Sequence, residues 1–97
     1  MKPVFDNSIL EELMKFCDET ESTDELVKGI FKGYFLFHYS PTEVSFLYHN
    51  DYTGRWTHKD CHTMEEYKSN FYLLKKQYFK IKEKEMIKRI ERINKDF

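Results

Sequence analysis

His58, Asp60, Cys61 and His62 form the densest group of metal-ligating side chains in this 97-residue chain. Zinc takes three or four nitrogen and sulfur ligands at tetrahedral positions, and His38 and His49 are the remaining histidines that could complete a set. The spacing supplies one dense arm and no second, so no metal and no other cofactor is assigned. Nucleophilic catalysis has no better support. Cys61 and His62 are neighbours in sequence, whereas a nucleophile and its base must converge in space. Cys17 falls on an apolar helical stripe, the place of an inert core thiol. The chain has no Gly-rich phosphate loop, nucleophile elbow or HExxH. No catalytic residue is named, and the expectation is a protein that is not an enzyme.

Binding chemistry is better represented. Residues 6–25 hold eight carboxylates against one lysine. Of these, Glu11, Glu12, Asp18, Glu19, Glu21, Asp24 and Glu25 are the candidate partner-binding residues. A band of carboxylates can imitate a phosphate backbone, and its attraction to a basic groove is long-ranged and salt-sensitive. The competing interpretation is an ordinary solvated face.

The other end of the chain is basic. Residues 1–74 carry seven Lys/Arg and thirteen Asp/Glu, net −6, while residues 75–97 carry nine and four, net +5. Lys75, Lys76, Lys80, Lys84, Lys88, Arg89 and Arg92 are the alternative, nucleic-acid-binding candidates, able to neutralise phosphates along a groove. Glu83, Glu85 and Glu91 interrupt the run and favour pairing within the helix. Tyr72, Phe79, Met86 and Ile93 recur every seven residues, as in a dimerising helix. Met86, Ile90, Ile93 and Phe97 are therefore candidate homodimer contacts.

These residues need elements to position them. Ser8-x-x-Glu11, Ser22-x-x-Glu25 and Thr63-x-x-Glu66 match the capping box that opens helices. Leu10, Leu13, Met14 and Cys17 then form one helical stripe, with Glu11, Glu12, Asp18 and Glu19 opposite it. Leu26, Val27, Ile30 and Phe31 suggest a short second helix over residues 24–32, although Gly29 weakens it and a strand is the rival. Tyr34–Ser40 is aromatic and β-prone. A two-residue Pro41-Thr42 turn sets Phe35, Phe37 and Tyr39 beside Tyr48, Phe46 and Val44 on one sheet face. A five-residue turn, Asn50–Gly54, adds Trp56 and His58 to that apolar face. The opposite face then shows Tyr34, Leu36, His38, Ser45, Leu47, His49, Arg55, Thr57 and Lys59, a mixture of rings and positive charge that single-stranded RNA binders also use. From Thr63 onward, Met64, Tyr67, Phe71, Leu74, Tyr78 and Ile81 step by threes and fours, a seam that would lie on the sheet.

The expected fold is therefore α+β: two short N-terminal helices, a three-stranded antiparallel meander and a long C-terminal helix packed on one sheet face (α-α-β-β-β-α). Length fits a single domain over residues 1–97. The element order resembles that of double-stranded RNA-binding domains, but Thr63-Met64-Glu65-Glu66-Tyr67 stands where their last helix opens Lys-Lys-x-Ala-Lys, so no family is assigned. No run approaches the roughly 20 apolar residues that span a bilayer, and no apolar region follows Lys2 as in a signal peptide. Two cysteines are too few for a disulfide scaffold, which makes the cytoplasm the expected compartment, with no membrane partner. Abundant Lys, Glu, Phe, Tyr and Ile with no Ala suits an AT-rich coding sequence, as in low-GC bacteria and their phages. Together these features point to a non-enzymatic protein-binding module. Its sharpest form is an anti-defence type of inhibitor, from a phage or mobile element, that blocks a nucleic-acid-handling host protein through its acidic surface.

Overall fold

Asp6, two residues before the expected Ser8 cap, starts the first helix. Its carboxylate accepts the Ser8 N–H at 3.0 Å and also bonds the Ser8 hydroxyl, which satisfies one of the exposed N-terminal donors. In the computed structural model, which describes residues 4–95 with side chains to residue 90, this helix, α1, spans Asn7–Met14. The buried stripe runs through Ile9 and Leu13, not through Leu10, Met14 and Cys17. Ile9 and Leu13 are buried with Phe5, Leu10 is half-buried and Met14 is exposed. Cys17, Asp18 and Glu19 lie beyond the helix, not on it.

The expected second helix is a hairpin. Strands β1 (Glu19–Ser22) and β2 (Val27–Phe31) pair antiparallel, with Ser22 opposite Val27. Thr23 closes the turn between them: its N–H donates to the Leu26 carbonyl at 2.8 Å, and its hydroxyl oxygen accepts the Leu26 N–H at 3.1 Å. A side chain that satisfies the backbone locally in this way competes with helix formation, and Val27, Ile30 and Phe31 suit a pleated surface. Gly29 leaves room for the ring of Phe37, because a Cβ there would lie 1.9 Å from its Cε1.

With β3 (Tyr34–Tyr39), β4 (Val44–Asn50) and β5 (Arg55–Cys61), the sheet has five antiparallel strands in sequence order rather than three. The α+β class and the long C-terminal helix stand; the order is α-β-β-β-β-β-α. Phe37 pairs with Phe46 and Tyr39 with Val44, as the Pro41 turn predicts.

Two one-residue departures change the faces. Gly29 pairs with Phe37 but Ile30 pairs with Phe35, so Leu36 is the extra residue of a bulge. Leu36 joins the core and Phe35 is left 39% exposed. In the second hairpin, Asn50 stays in its strand opposite Arg55, leaving a four-residue turn instead of five. Its side-chain oxygen accepts the Tyr52 and Thr53 N–H groups at 2.9 and 3.3 Å, and Gly54 (φ 71°) donates to its carbonyl at 2.8 Å. Because side chains alternate along a strand, that single slip inverts β5. Trp56 and His58 leave the expected apolar face, while Arg55, Thr57 and Lys59 move to the side of Phe46.

The last helix, α2, spans Met64–Lys95. The Thr63 hydroxyl accepts the Glu66 N–H at 3.1 Å, and the Glu66 carboxylate takes the His62 N–H at 3.2 Å. Tyr67, Leu74 and Ile81 are buried, with Met64, Phe71 and Tyr78 packed beside them, as the seam predicts. Phe46 meets Tyr67 and Phe71 at ring separations of 5.7 and 6.1 Å, while Phe16, just past α1, meets Phe71 and Tyr78 at 5.7 and 5.3 Å. Both helices thus share one face of the sheet. Each such side chain contributes about 1.5–3 kcal/mol when fully buried, before the entropy of ordering it. Gln77 is a buried polar group that accepts the His49 N–H at 3.2 Å and so ties α2 to the end of β4. Ile81 is the last buried residue of α2 as far as Ile90. Beyond it the helix outruns the sheet, and the molecule is 60 Å long against 28 and 19 Å across.

Candidate functional site

The sheet face turned away from the helices is built by the ladder itself. Glu21, Lys28, His38, Ser45 and Asp60 pair in succession across all five strands, and paired residues share a face. At one end of this row the Ser45 hydroxyl donates to Asp60 Oδ1 at 2.6 Å, and His58 Nδ1 lies 2.9 Å from the same oxygen. These two partners, Ser45 first, hold the Asp60 carboxyl below its ordinary 3.8 against the opposing effect of burial. Glu43 extends the group, 3.3 Å from His62 and 3.2 Å from the Ser45 hydroxyl. Burial, followed by the charges of Lys28 and His58, pushes His38 below 6.5. The order is serine, aspartate, histidine, with the carboxylate in the middle. A nucleophilic serine needs the imidazole beside the hydroxyl, so this arrangement fixes side chains and does not activate one.

The other end of the same face is apolar. Trp56 is 48% exposed and stacks on Tyr34 at 5.9 Å and 24° between planes. With Gly33, Phe35 and Leu47 they line a shallow hollow. Lys28 Nζ sits 5.8 Å from the Phe35 ring centre. Sequence reasoning placed Phe35 and Trp56 inside. The Asn50 turn was the available signal, since Asn readily bonds the backbone two residues on; the bulge at Leu36 has none.

The acidic candidates occupy a different edge. Glu11 and Glu12 project from α1, Asp18 precedes β1, Glu19 and Glu21 lie on β1, and Asp24 and Glu25 are in its turn. All seven are exposed, and among the described residues none is in an ion pair. Asp18 accepts the Lys32 N–H at 3.3 Å. Glu12 lies near Tyr67, whose buried hydroxyl has no partner at hydrogen-bond geometry among the described residues; burial first, and this carboxylate second, push that phenol well above 10.

The basic candidates on α2 are partly engaged. Lys80 pairs with Asp51 at 2.5 Å and Lys88 with Glu85 at 3.8 Å. Lys75 lies over Phe71 and Lys82 over Tyr78, 5.3 and 5.1 Å from the ring centres. Lys76, Lys84 and Arg89 are exposed. So are the apolar Met86, Ile87 and Ile90, at 63, 50 and 51%. Arg92 and Ile93 are on α2 but their side chains lie outside the described ones, and Phe97 lies outside the described residues.

The histidines and cysteines do not converge. His38, His49 and His58 share the helix-free face, His62 follows β5, and Cys61 is buried on the helix side with burial raising its thiol pKa. Among the described residues no three His, Cys, Asp or Glu side chains are placed to hold a metal ion. No helix among them is long and apolar enough to cross a membrane. Comparison with protein-family models, curated proteins and solved structures finds no match.

Proposed function

We propose that the protein is a non-enzymatic protein-binding module whose acidic edge, on α1, β1 and the turn after β1, docks on a basic surface of a nucleic-acid-handling protein. Bound there, it would act as an inhibitor by occupying the site of the phosphate backbone, as phage or mobile-element proteins of the anti-defence type do. One observation carries this reading: Glu11, Glu12, Asp18, Glu19, Glu21, Asp24 and Glu25 are all exposed and, among the described residues, free of ion pairs. An unpaired band of like charge costs self-repulsion in the isolated chain and gains most from an oppositely charged partner.

The test uses immobilised protein to capture partners from bacterial lysate, followed by their release with duplex DNA or with salt. Nucleic-acid-binding proteins should be retained and then displaced by DNA. Capture should weaken at least about tenfold on raising salt past the level where the screening length is about 8 Å. Replacing Glu11, Glu12, Glu21 and Glu25 by Lys should abolish it. Capture unchanged by these reversals overturns the proposal. Retardation of DNA or RNA by the protein alone would instead favour the basic candidates of α2.

A further inference from the structure

Two apolar surfaces of this chain have no partner among the described residues, and their chemistry is complementary. The helix-free sheet face offers Phe35, Leu47 and Trp56 at one end and Glu43 and Asp60 at the other. The projecting part of α2 offers Met86, Ile87 and Ile90 among the exposed Lys84, Lys88 and Arg89. We propose that two copies of this chain exchange these surfaces, the projecting end of each α2 lying across the helix-free sheet face of the other. The inference is independent of the acidic-edge reading, because the face residues it uses lie on or beside β3, β4 and β5 and not on α1, β1 or the turn after β1.

Dimensions agree. The fourteen residues from Lys82 to Lys95 rise about 21 Å at 1.5 Å each. Strands β4 and β5, seven residues each, run about 23 Å at 3.3 Å per residue. A helix of this length reaches from the apolar end of those strands to the acidic one. Charge also selects this pairing over helix against helix. A seam through Phe79, Glu83, Met86 and Ile90 would place Glu83 inside a coiled coil, with Lys82 and Arg89 flanking it. The sheet face instead presents Glu43 and Asp60 to those cations, and its one lysine among the described residues, Lys28, lies beside Phe35 at the apolar end. The exchange closes on itself: what one copy gives, it also receives, so two equal contacts form around a two-fold axis and no chain of molecules grows.

Trp56 is the sole tryptophan and reports directly on the receiving face. Sedimentation equilibrium and tryptophan emission would be followed from about 1 µM to about 1 mM, a range that brackets ordinary weak dimers. The mass should rise from 12.0 kDa to twice that value. Over the same range Trp56 emission should shift to the blue and lose its quenching by acrylamide. Met86→Glu with Ile90→Glu, a tail variant, and Phe35→Glu, a face variant, alter exposed positions and should each remain monomeric with unchanged circular dichroism. Mixed in equal amounts, they should associate more weakly than wild type but more than either variant alone, since one of the two contacts, the intact tail of one on the intact face of the other, is restored. A wild-type protein that stays at 12.0 kDa throughout overturns the proposal. So does a face variant or a tail variant that dimerises like wild type.

Discussion

Gly29→Ala isolates the contact that decides how β2 and β3 meet. The new methyl carbon would sit 1.9 Å from Cε1 of Phe37 and 2.4 Å from Cζ. Phe37 is wholly buried within the shared core, so its ring cannot swing into solvent. Restoring ordinary contact requires a shift of more than about 1.5 Å in a close-packed interior, which puts the cost at or above the upper end of the ~1–3 kcal/mol typical of overpacking. Ala recovers about 0.5–1 kcal/mol through the smaller entropy of its unfolded chain. The net expectation is a loss of about 2–3 kcal/mol. At about 2.1 cal/mol/K per residue that is roughly 10–15 °C in Tm. Phe37→Leu shortens the side chain in the path of the methyl and should itself cost about 1–1.5 kcal/mol. Combining the two should be less damaging than their sum by at least about 1 kcal/mol. Urea unfolding of all four proteins, followed by far-ultraviolet circular dichroism, measures the cycle. If Gly29→Ala costs less than about 0.5 kcal/mol, or the two changes simply add, the ring does not lie over Gly29.

Tyr67→Phe removes a buried hydroxyl that has no hydrogen-bond partner among the described residues, so urea unfolding should show it neutral or up to about 1 kcal/mol stabilising; a loss of that size would mean that Glu12 accepts the proton after all. His38 binds its proton less readily folded than unfolded, because burial and then Lys28 and His58 oppose the cation. Stability is therefore complete above pH 6.5 and falls as pH drops from there toward the depressed folded value. Asp60 works at lower pH, its contribution present above 3.8 and lost as pH falls through its own depressed value. His38→Gln should make the decline in urea midpoint between pH 7 and 5 shallower, and an identical slope in the variant would remove His38 as the cause.

Local chemistry was enough for some elements. The Thr63 cap and the three-four spacing from Met64 to Ile81 specify the last helix and the face it buries, because a helix reads its own sequence at intervals within one or two turns. The Pro41 turn likewise sets Phe37 against Phe46, since a two-residue connection leaves one register. Where two local patterns compete, the outcome lies elsewhere. Ser22 and Glu25 have the spacing of a helix cap, yet Thr23 closes a hairpin and the neighbouring strand β3 supplies partners that no isolated segment contains.

The binding surfaces divide in the same way. Exposure of Glu11 and Glu12 followed from the amphipathic pattern of α1, even though the cap and the stripe moved. That Phe35 and Trp56 face outward could be settled only by pairing between strands. One extra residue at Leu36 and one fewer in the turn after Asn50 each invert everything beyond them, because strand side chains alternate with a period of two. Composition and spacing determined the charge separation and the long helix. Tertiary structure decided which aromatic residues remain without a cover, since a register is a property of two strands and is written in neither one alone.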